Sequence, residues 1–73
     1  MDYDIALFQN ISHALKSEKL LKEAGLTVKL IPVPKDISTD CGVCLRFPHE
    51  HQETVTRILY NRVKIQAICP FKA

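Results

Sequence analysis

The sequence predicts one α+β domain with a ferredoxin-like βαββαβ order: a four-stranded antiparallel sheet with two helices on one face. Four segments alternate apolar and polar residues with the period of a strand, and two segments repeat apolar residues with the 3.6-residue period of a helix. A chain of 73 residues has room for a single hydrophobic core. Residues 1–73 are therefore predicted to form one domain.

The first strand and the first helix have clear boundaries. The strand is predicted over residues 3–8, and the helix begins near Ser12, after a capping-type stretch. Gly25 supplies the usual C-terminal stop. Within the helix, Glu18 and Lys22 are one turn apart and are predicted to form an ion pair.

The remaining elements complete the βαββαβ order. They are a strand over 26–31, an irregular loop over 35–40, a strand over 42–47, a helix from Pro48 and a last strand over 64–69. Prolines are expected to end the second and the last strand, because proline cannot donate a hydrogen bond to a ladder: Pro32 and Pro34, then Pro70.

Composition and charge exclude several classes of function. The formal net charge is only +2, from scattered basic residues, whereas nucleic-acid binding generally needs a denser basic stripe. The apolar runs are far shorter than the ~20 residues that span a bilayer, and the acidic start at Asp2 and Asp4 is unlike a basic export leader. We therefore expect a cytoplasmic protein with reduced thiols, no cofactor, and no nucleic-acid or membrane partner.

The predicted topology divides the reactive side chains between the two ends of the sheet. A right-handed crossover makes the first two strands parallel and inserts the third antiparallel between them. The loop before the third strand then turns where the first helix begins, which brings Cys41 toward Asn10, Ser12 and His13. The residues expected at the other end are Pro48, His49, His51 and Cys69. A strand of five or six residues is ~17 to 20 Å long, so the two groups cannot share one metal ion and no metal site is predicted.

Cys41 is the main candidate for chemistry. A helix N-terminus beside its loop stabilises a thiolate, and Gly42 adds a backbone N–H without a side chain in the way. Lys35 favours an anion, whereas Asp36 and Asp40 disfavour it, which leaves the sign of the pKa shift open. The alternative interpretation is an inert loop cysteine.

His13 and Cys44 are candidates for a supporting role. His13 is a candidate proton donor or acceptor beside the thiol, or else an exposed first-turn histidine. Cys44 is a candidate resolving thiol for Cys41, although residues three apart on a strand point to opposite faces about 10 Å apart. Two other functions therefore stay open, namely dithiol redox at Cys41 and Cys44 and a non-catalytic protein-interaction module.

The sheet face away from the helices is predicted to carry a mixed patch. Its apolar members are expected to be Ala6, Phe8, Ile31, Cys44 and Ile68, and its charged members Asp4, Lys29, Arg46 and Lys64. Such a patch suits a homo-oligomer or another partner. It has one aromatic ring, which is too few for the two or three stacking rings of an RNA-recognition sheet.

Several motifs over residues 8–47 stand in an order and spacing that resemble a known family. They are Phe8, Ser12-His13-Ala14-Leu15, Glu18, Leu20-Leu21, Gly25, Leu30-Ile31-Pro32-Val33-Pro34, Ile37-Ser38 and Cys41-Gly42. In these residues the chain resembles the selenium/sulfur carrier-like proteins, a family of small bacterial domains. The resemblance implies that Cys41 holds a persulfide or selenopersulfide between a donor enzyme and an acceptor protein.

The chain departs from the family pattern at two positions. Lys35 stands where arginine is more common, which keeps the positive charge but loses the planar guanidinium that can bind an anion with two hydrogen bonds. Cys44 stands where a small apolar residue such as alanine is common. The resulting hypothesis is a carrier without turnover chemistry of its own, in which the Cys41 thiolate attacks the donor's persulfide and His13 tunes it. The residues expected to contact the transferred group are Ser12, Lys35 and Gly42.

Overall fold

The computed structural model describes residues 2–37 and 42–71. Over these residues the chain forms four strands and two α-helices in βαββαβ order, which confirms the predicted ferredoxin-like α+β class. The strands are β1 (Tyr3–Leu7), β2 (Lys29–Pro32), β3 (Val43–Pro48) and β4 (Ala67–Phe71). The helices are α1 (Ile11–Glu23) and α2 (Gln52–Leu59), the second preceded by a 3₁₀ turn at His49–His51.

The four strands form one open antiparallel sheet in the order β2-β3-β1-β4. As predicted, β3 lies between β1 and β2. Leu7 at the end of β1 is opposite Cys44 on β3 and Ala67 on β4, and Ile31 on β2 is also opposite Cys44. The end of β1, the start of β3 and the end of β2 therefore lie at the same end of the sheet.

Helix α1 is closed at both ends by local hydrogen bonds. The Asn10 side chain caps the N-terminus by accepting the backbone N–H of His13 at 3.0 Å. At the C-terminus the N–H of Gly25 donates to Lys22 at 3.0 Å and the N–H of Leu26 donates to Leu21 at 3.0 Å. This is a Schellman motif, which requires the left-handed conformation that Gly25 adopts at φ 88°. Gly25 is thus the helix stop that its sequence position predicts.

The main core lies between the sheet and the two helices. Its buried members are Ala6, Phe8, Ala14, Leu21, Val28, Leu45, Phe47, Val55, Leu59 and Val63. They come from β1, β3, both helices and the segments that enter β2 and β4, so a single cluster fixes the helices on one face of the sheet.

A second, smaller cluster covers the other face of the sheet. Its buried members are Ile5, Leu7 and Cys44, and the side chains packed against them are Ile31, Val33, Ile37, Cys69 and Phe71. We call this the far-face cluster. Val33 and Ile37 belong to the segment that follows β2, so the chain folds back over its own sheet there.

The predicted faces of β1 were therefore wrong. Ala6 and Phe8 face the helices, as does Ile68 of β4, whereas Ile5 and Leu7 face away from them. Asp4, which shares the parity of Ala6 and Phe8, also lies on the helix side rather than on an exposed patch. The predicted placement of Ile31, Cys44, Lys29 and Arg46 on the far face is consistent with the register.

The predicted bounds of the last strand were also wrong. β4 begins three residues later than residue 64 and continues through Pro70 to Phe71. The sheet order makes β4 an edge strand, and proline is compatible with an edge strand because its missing N–H faces no neighbour. Pro32 likewise lies within β2, which is the other edge.

Candidate functional site

The loop that contains Cys41 starts and ends at the same end of the sheet as the first turn of α1. The N–H of Val33 donates to the carbonyl of Gly42 at 3.2 Å and closes the base of this loop. Asn10, the cap of α1, follows the end of β1 by three residues, and Gly42 immediately precedes β3. Because the end of β1 is paired with the start of β3, the helix cap and the loop base are neighbours across the end of the sheet.

The first part of the loop is anchored to the far-face cluster. The side chains of Val33 and Ile37 pack against the cluster. A turn between them is closed by the N–H of Ile37, which donates to the carbonyl of Pro34 at 3.0 Å. These contacts give the segment that leads toward Cys41 a defined starting position.

Cys41, the predicted carrier thiol, lies outside the described residues, as does Asp40. Its neighbour Gly42 is described and adopts φ 80°, a left-handed conformation that favours glycine. Gly42 is exposed, and a Cβ built on it would meet no heavy atom within 4 Å. The glycine is therefore required by the backbone conformation rather than by crowding.

The first turn of α1 contains no acidic side chain. The partial positive charge of the helix N-terminus is therefore not offset by a carboxylate within this turn. Ser12 is exposed there, and so is Lys35 in the loop beyond β2, together with Asp36. Ser12 and Lys35 are thus both accessible to solvent, and their predicted contact with the transferred group stays a prediction.

His13 is half-buried in the first turn of α1. His13 Nδ1 is buried and makes no hydrogen bond to any of the residues described here. Its carbonyl accepts the hydroxyl of Ser17 at 2.8 Å. The acid–base role of His13 stays a prediction.

Cys44, the predicted resolving thiol, is fully buried in the far-face cluster. A buried thiol in apolar surroundings is shielded from alkylating reagents and from a partner's thiol. Cys69 is half-buried and packs against the same cluster, on the strand at the other side of β1. In residues 2–37 and 42–71, no group of three or more His, Cys, Asp and Glu side chains is arranged to hold a metal ion. Whether Cys44 assists Cys41 stays a prediction.

Two contacts between ionisable side chains differ in whether the sequence predicted them. Glu18 and Lys22 pair at 3.4 Å, as their one-turn spacing predicted. Sequence reasoning missed the second pair, in which Asp4 Oδ2 lies 2.9 Å from Nδ1 of His49. Asp4 is only 3% exposed, whereas His49 lies at the surface. The two residues are 45 positions apart in the sequence, so no local signal predicts this contact. The contact lies at the opposite end of the sheet from Gly42.

The sequence of the chain matches the model of one protein family. The family described as "Putative Se/S carrier protein-like" matches residues 2–70, nearly the whole chain. The chain belongs to this family. The match includes Cys41 and the elements at both sides of its loop. No curated protein and no solved structure gives a significant match.

Membership in the Se/S carrier-like family gives the residues at the loop end a common interpretation. A carrier hands its cargo from one protein to another, so the family implies interaction with partner proteins. Within the described parts of this family member, neither helix has the length and apolar character needed to cross a bilayer.

Proposed function

We propose that the protein carries sulfur or selenium as a persulfide or selenopersulfide on Cys41, between a donor enzyme and an acceptor protein. The single observation that carries the proposal is the family match over residues 2–70, which contains this cysteine. The geometry of the flanking residues supports it. The loop base formed by Val33 and Gly42 adjoins the capped, acid-free first turn of α1, where a thiolate is favoured.

The chemistry of loading is one thiol–disulfide exchange. The Cys41 thiolate attacks the outer sulfur of the donor's persulfide, a new S–S bond forms at Cys41, and the donor's thiolate leaves. In unloading, an acceptor nucleophile attacks the same outer sulfur, and Cys41 returns to a thiolate. The two steps conserve electrons overall and need no cofactor. With selenium the transferred atom is the outer selenium of a selenopersulfide.

The other predicted residues have separate parts in the proposal. Ser12, Lys35 and the Gly42 N–H would bind the transferred anionic atom, and Lys35 supplies a positive charge without the bidentate geometry of arginine. His13 would exchange protons with the thiol. His13→Gln is the informative variant: an unchanged pH profile of Cys41 alkylation would remove His13 from the site.

The proposal is tested by loading the purified protein from a cysteine desulfurase and free cysteine, then mapping the adduct by mass spectrometry. We expect one added sulfur atom on Cys41 in the wild type and none in Cys41→Ala. Cys69→Ala is the matched control, because Cys69 is half-buried and distant from Gly42 in the sheet register, and it should load like the wild type. Equal loading of wild type and Cys41→Ala would overturn the proposal.

The same samples separate the competing function. Dithiol redox requires that mild oxidation remove two alkylatable thiols, those of Cys41 and Cys44, from the wild type. The complete burial of Cys44 argues against this and favours a packing role. Self-association through the far face stays a prediction. Three of its apolar residues, Ile5, Leu7 and Cys44, are already buried within the chain, so this face has less apolar surface to offer a second copy than the sequence suggested.

A further inference from the structure

A groove with an apolar floor and a basic rim lies between α2 and the segment that enters β4. It has a volume of about 510 Å³, within the range of ligand and peptide sites. Its apolar lining comes from Leu59 and Val63, which are buried members of the main core, and from Ile65, which is half-buried and packs against that core. Its polar lining comes from Thr56, Tyr60, Asn61, Arg62 and Lys64.

The charged side chains among the described residues of this groove are both basic. Arg62 and Lys64 are exposed, and the structure gives neither of them an ion pair with any described residue. None of the described residues that line the groove is acidic. The guanidinium of Arg57, one helical turn before Asn61, is in contrast neutralised by Glu53 at 3.0 Å. Two unneutralised cations thus flank an apolar surface, an arrangement complementary to an anionic group that also carries apolar atoms.

Tyr60 gives the groove an exposed aromatic ring. Its relative exposure is 73%, the highest among the large apolar side chains of the described residues. The ring also lines the adjoining groove toward α1, where Arg57 and Glu23 bring opposite charges. Tyrosine and arginine are the residue types enriched at the energetically important centres of protein interfaces.

We infer that the groove of Tyr60, Arg62 and Lys64 is a docking site for an acidic peptide segment of a partner protein that also carries apolar side chains. The two cations would pair with the carboxylates, and the exposed ring of Tyr60 together with the half-buried Ile65 would receive an apolar side chain. A nucleic acid fits less well, because one exposed ring offers a single stacking surface and the floor is aliphatic.

The groove and the proposed sulfur site lie at the same end of the sheet, toward opposite edges. Lys64 of the groove lines a small cavity with Gln9, which precedes the cap of α1. The loop base at Val33 and Gly42 adjoins β2 and β3, and the sheet order places β2 and β4 at opposite edges. A partner could therefore be held in the groove while its active site, or that of a second protein, reaches the loop. The inference does not depend on which atom, if any, Cys41 carries.

The test uses the full chain and a fluorescein-labelled peptide of glutamates around two leucines, with binding followed by fluorescence anisotropy and by amide chemical shifts. We expect saturable binding and shifts confined to residues 56–65. Arg62→Gln and Lys64→Gln should each weaken binding by about twofold to fivefold, as exposed charge pairs do, and Tyr60→Ala by about fivefold or more. Added salt should weaken binding further.

The matched control is Lys29→Gln, which removes an exposed cation from the opposite edge strand and should leave the affinity unchanged. The proposal is overturned by shifts that map elsewhere, by equal losses in Lys29→Gln and Lys64→Gln, or by the absence of saturable binding at millimolar peptide. Tighter binding of a single-stranded RNA oligonucleotide than of the peptide at equal salt would also overturn it, and would assign the groove to nucleic acid.

Discussion

The two faces of the sheet are both buried at their centres, but by different means. The helix face is closed by two helices and holds a core with two phenylalanines, Phe8 and Phe47, that are at most 1% exposed. The far face has only three buried residues, and Val33 and Ile37 from the loop after β2 pack against them. One face therefore maintains the fold, and the other holds the start of the loop that leads to Cys41.

The helix-face core is therefore expected to determine the stability of the fold, and the far-face cluster the position of the Cys41 loop. The helix-face core draws on nearly every element of the chain, so a change there affects the whole molecule. The far-face cluster involves the centre of the sheet and the loop, so a change there is expected to act first on the loop. Cys44 illustrates the point: a small buried thiol under Val33 and Ile37 leaves room for the loop to pack closely.

The largest expected effect is that of Phe8→Ala on the helix face. Phe8 is fully buried, and truncation of such a side chain costs about 3 to 5 kcal/mol through lost burial and a residual cavity. A domain of this size has about 4 to 11 kcal/mol of stability in total, so the variant should be close to unfolding. Urea denaturation measures the change. Ile37→Ala on the far face, where the side chain is only half-buried, should cost much less, and equal losses would contradict the comparison.

A smaller effect is expected at the polar end of the helix face. His49→Ala removes the partner of the buried Asp4 carboxylate and should lower the free energy of unfolding by about 1 to 2 kcal/mol, with the exposure of the ring limiting the loss. His51→Ala is the control, since its ring lies 3.9 Å from an exposed Glu50 and should contribute little. Thermal denaturation measures the loss of stability in each variant. If His51→Ala is destabilised as much as His49→Ala, the contact with Asp4 does not account for the effect.

The Asp4–His49 contact also explains why the two faces of β1 were predicted wrongly from the sequence. Segments with period-two alternation predicted the four strands and their order, and the topology then followed from the right-handed crossover. On β1, however, both faces are apolar, so the alternation has little contrast, and the charged Asp4 suggested that its face was exposed. The carboxylate is buried because a residue far along the chain partners it, and no local pattern can show that.

The candidate site could be predicted in outline because it depends on topology. The shared position of the α1 cap and the base of the Cys41 loop follows from strand order alone. The left-handed conformation of Gly42 could not be predicted in this way, because it depends on how the loop closes. The anchoring of Ile37 could not be predicted, since it requires the loop to fold over the face that was expected to be open. The burial of His13 Nδ1 depends on tertiary packing, which a helical period does not specify.

The smallest effect on stability, and the most specific test of the far face, is expected from Gly42→Ala. Gly42 and Gly25 both have left-handed φ angles, 80° and 88°, and an added Cβ meets no heavy atom within 4 Å at either position. Each alanine variant should therefore lose about 1 kcal/mol from backbone strain alone. The two substitutions are thus matched in local physics and differ only in their place in the fold.

Gly42→Ala and Gly25→Ala should be similar in stability but should differ in the reactivity of Cys41. Gly42→Ala alters the backbone next to Cys41 at the base of the anchored loop, so we expect it to change the rate of Cys41 alkylation and of sulfur loading. Gly25→Ala, at the opposite end of α1, should leave both rates as in the wild type. If both variants change the rates equally, the effect is global softening of the domain, and the far face does not hold the loop in a position that matters to the thiol.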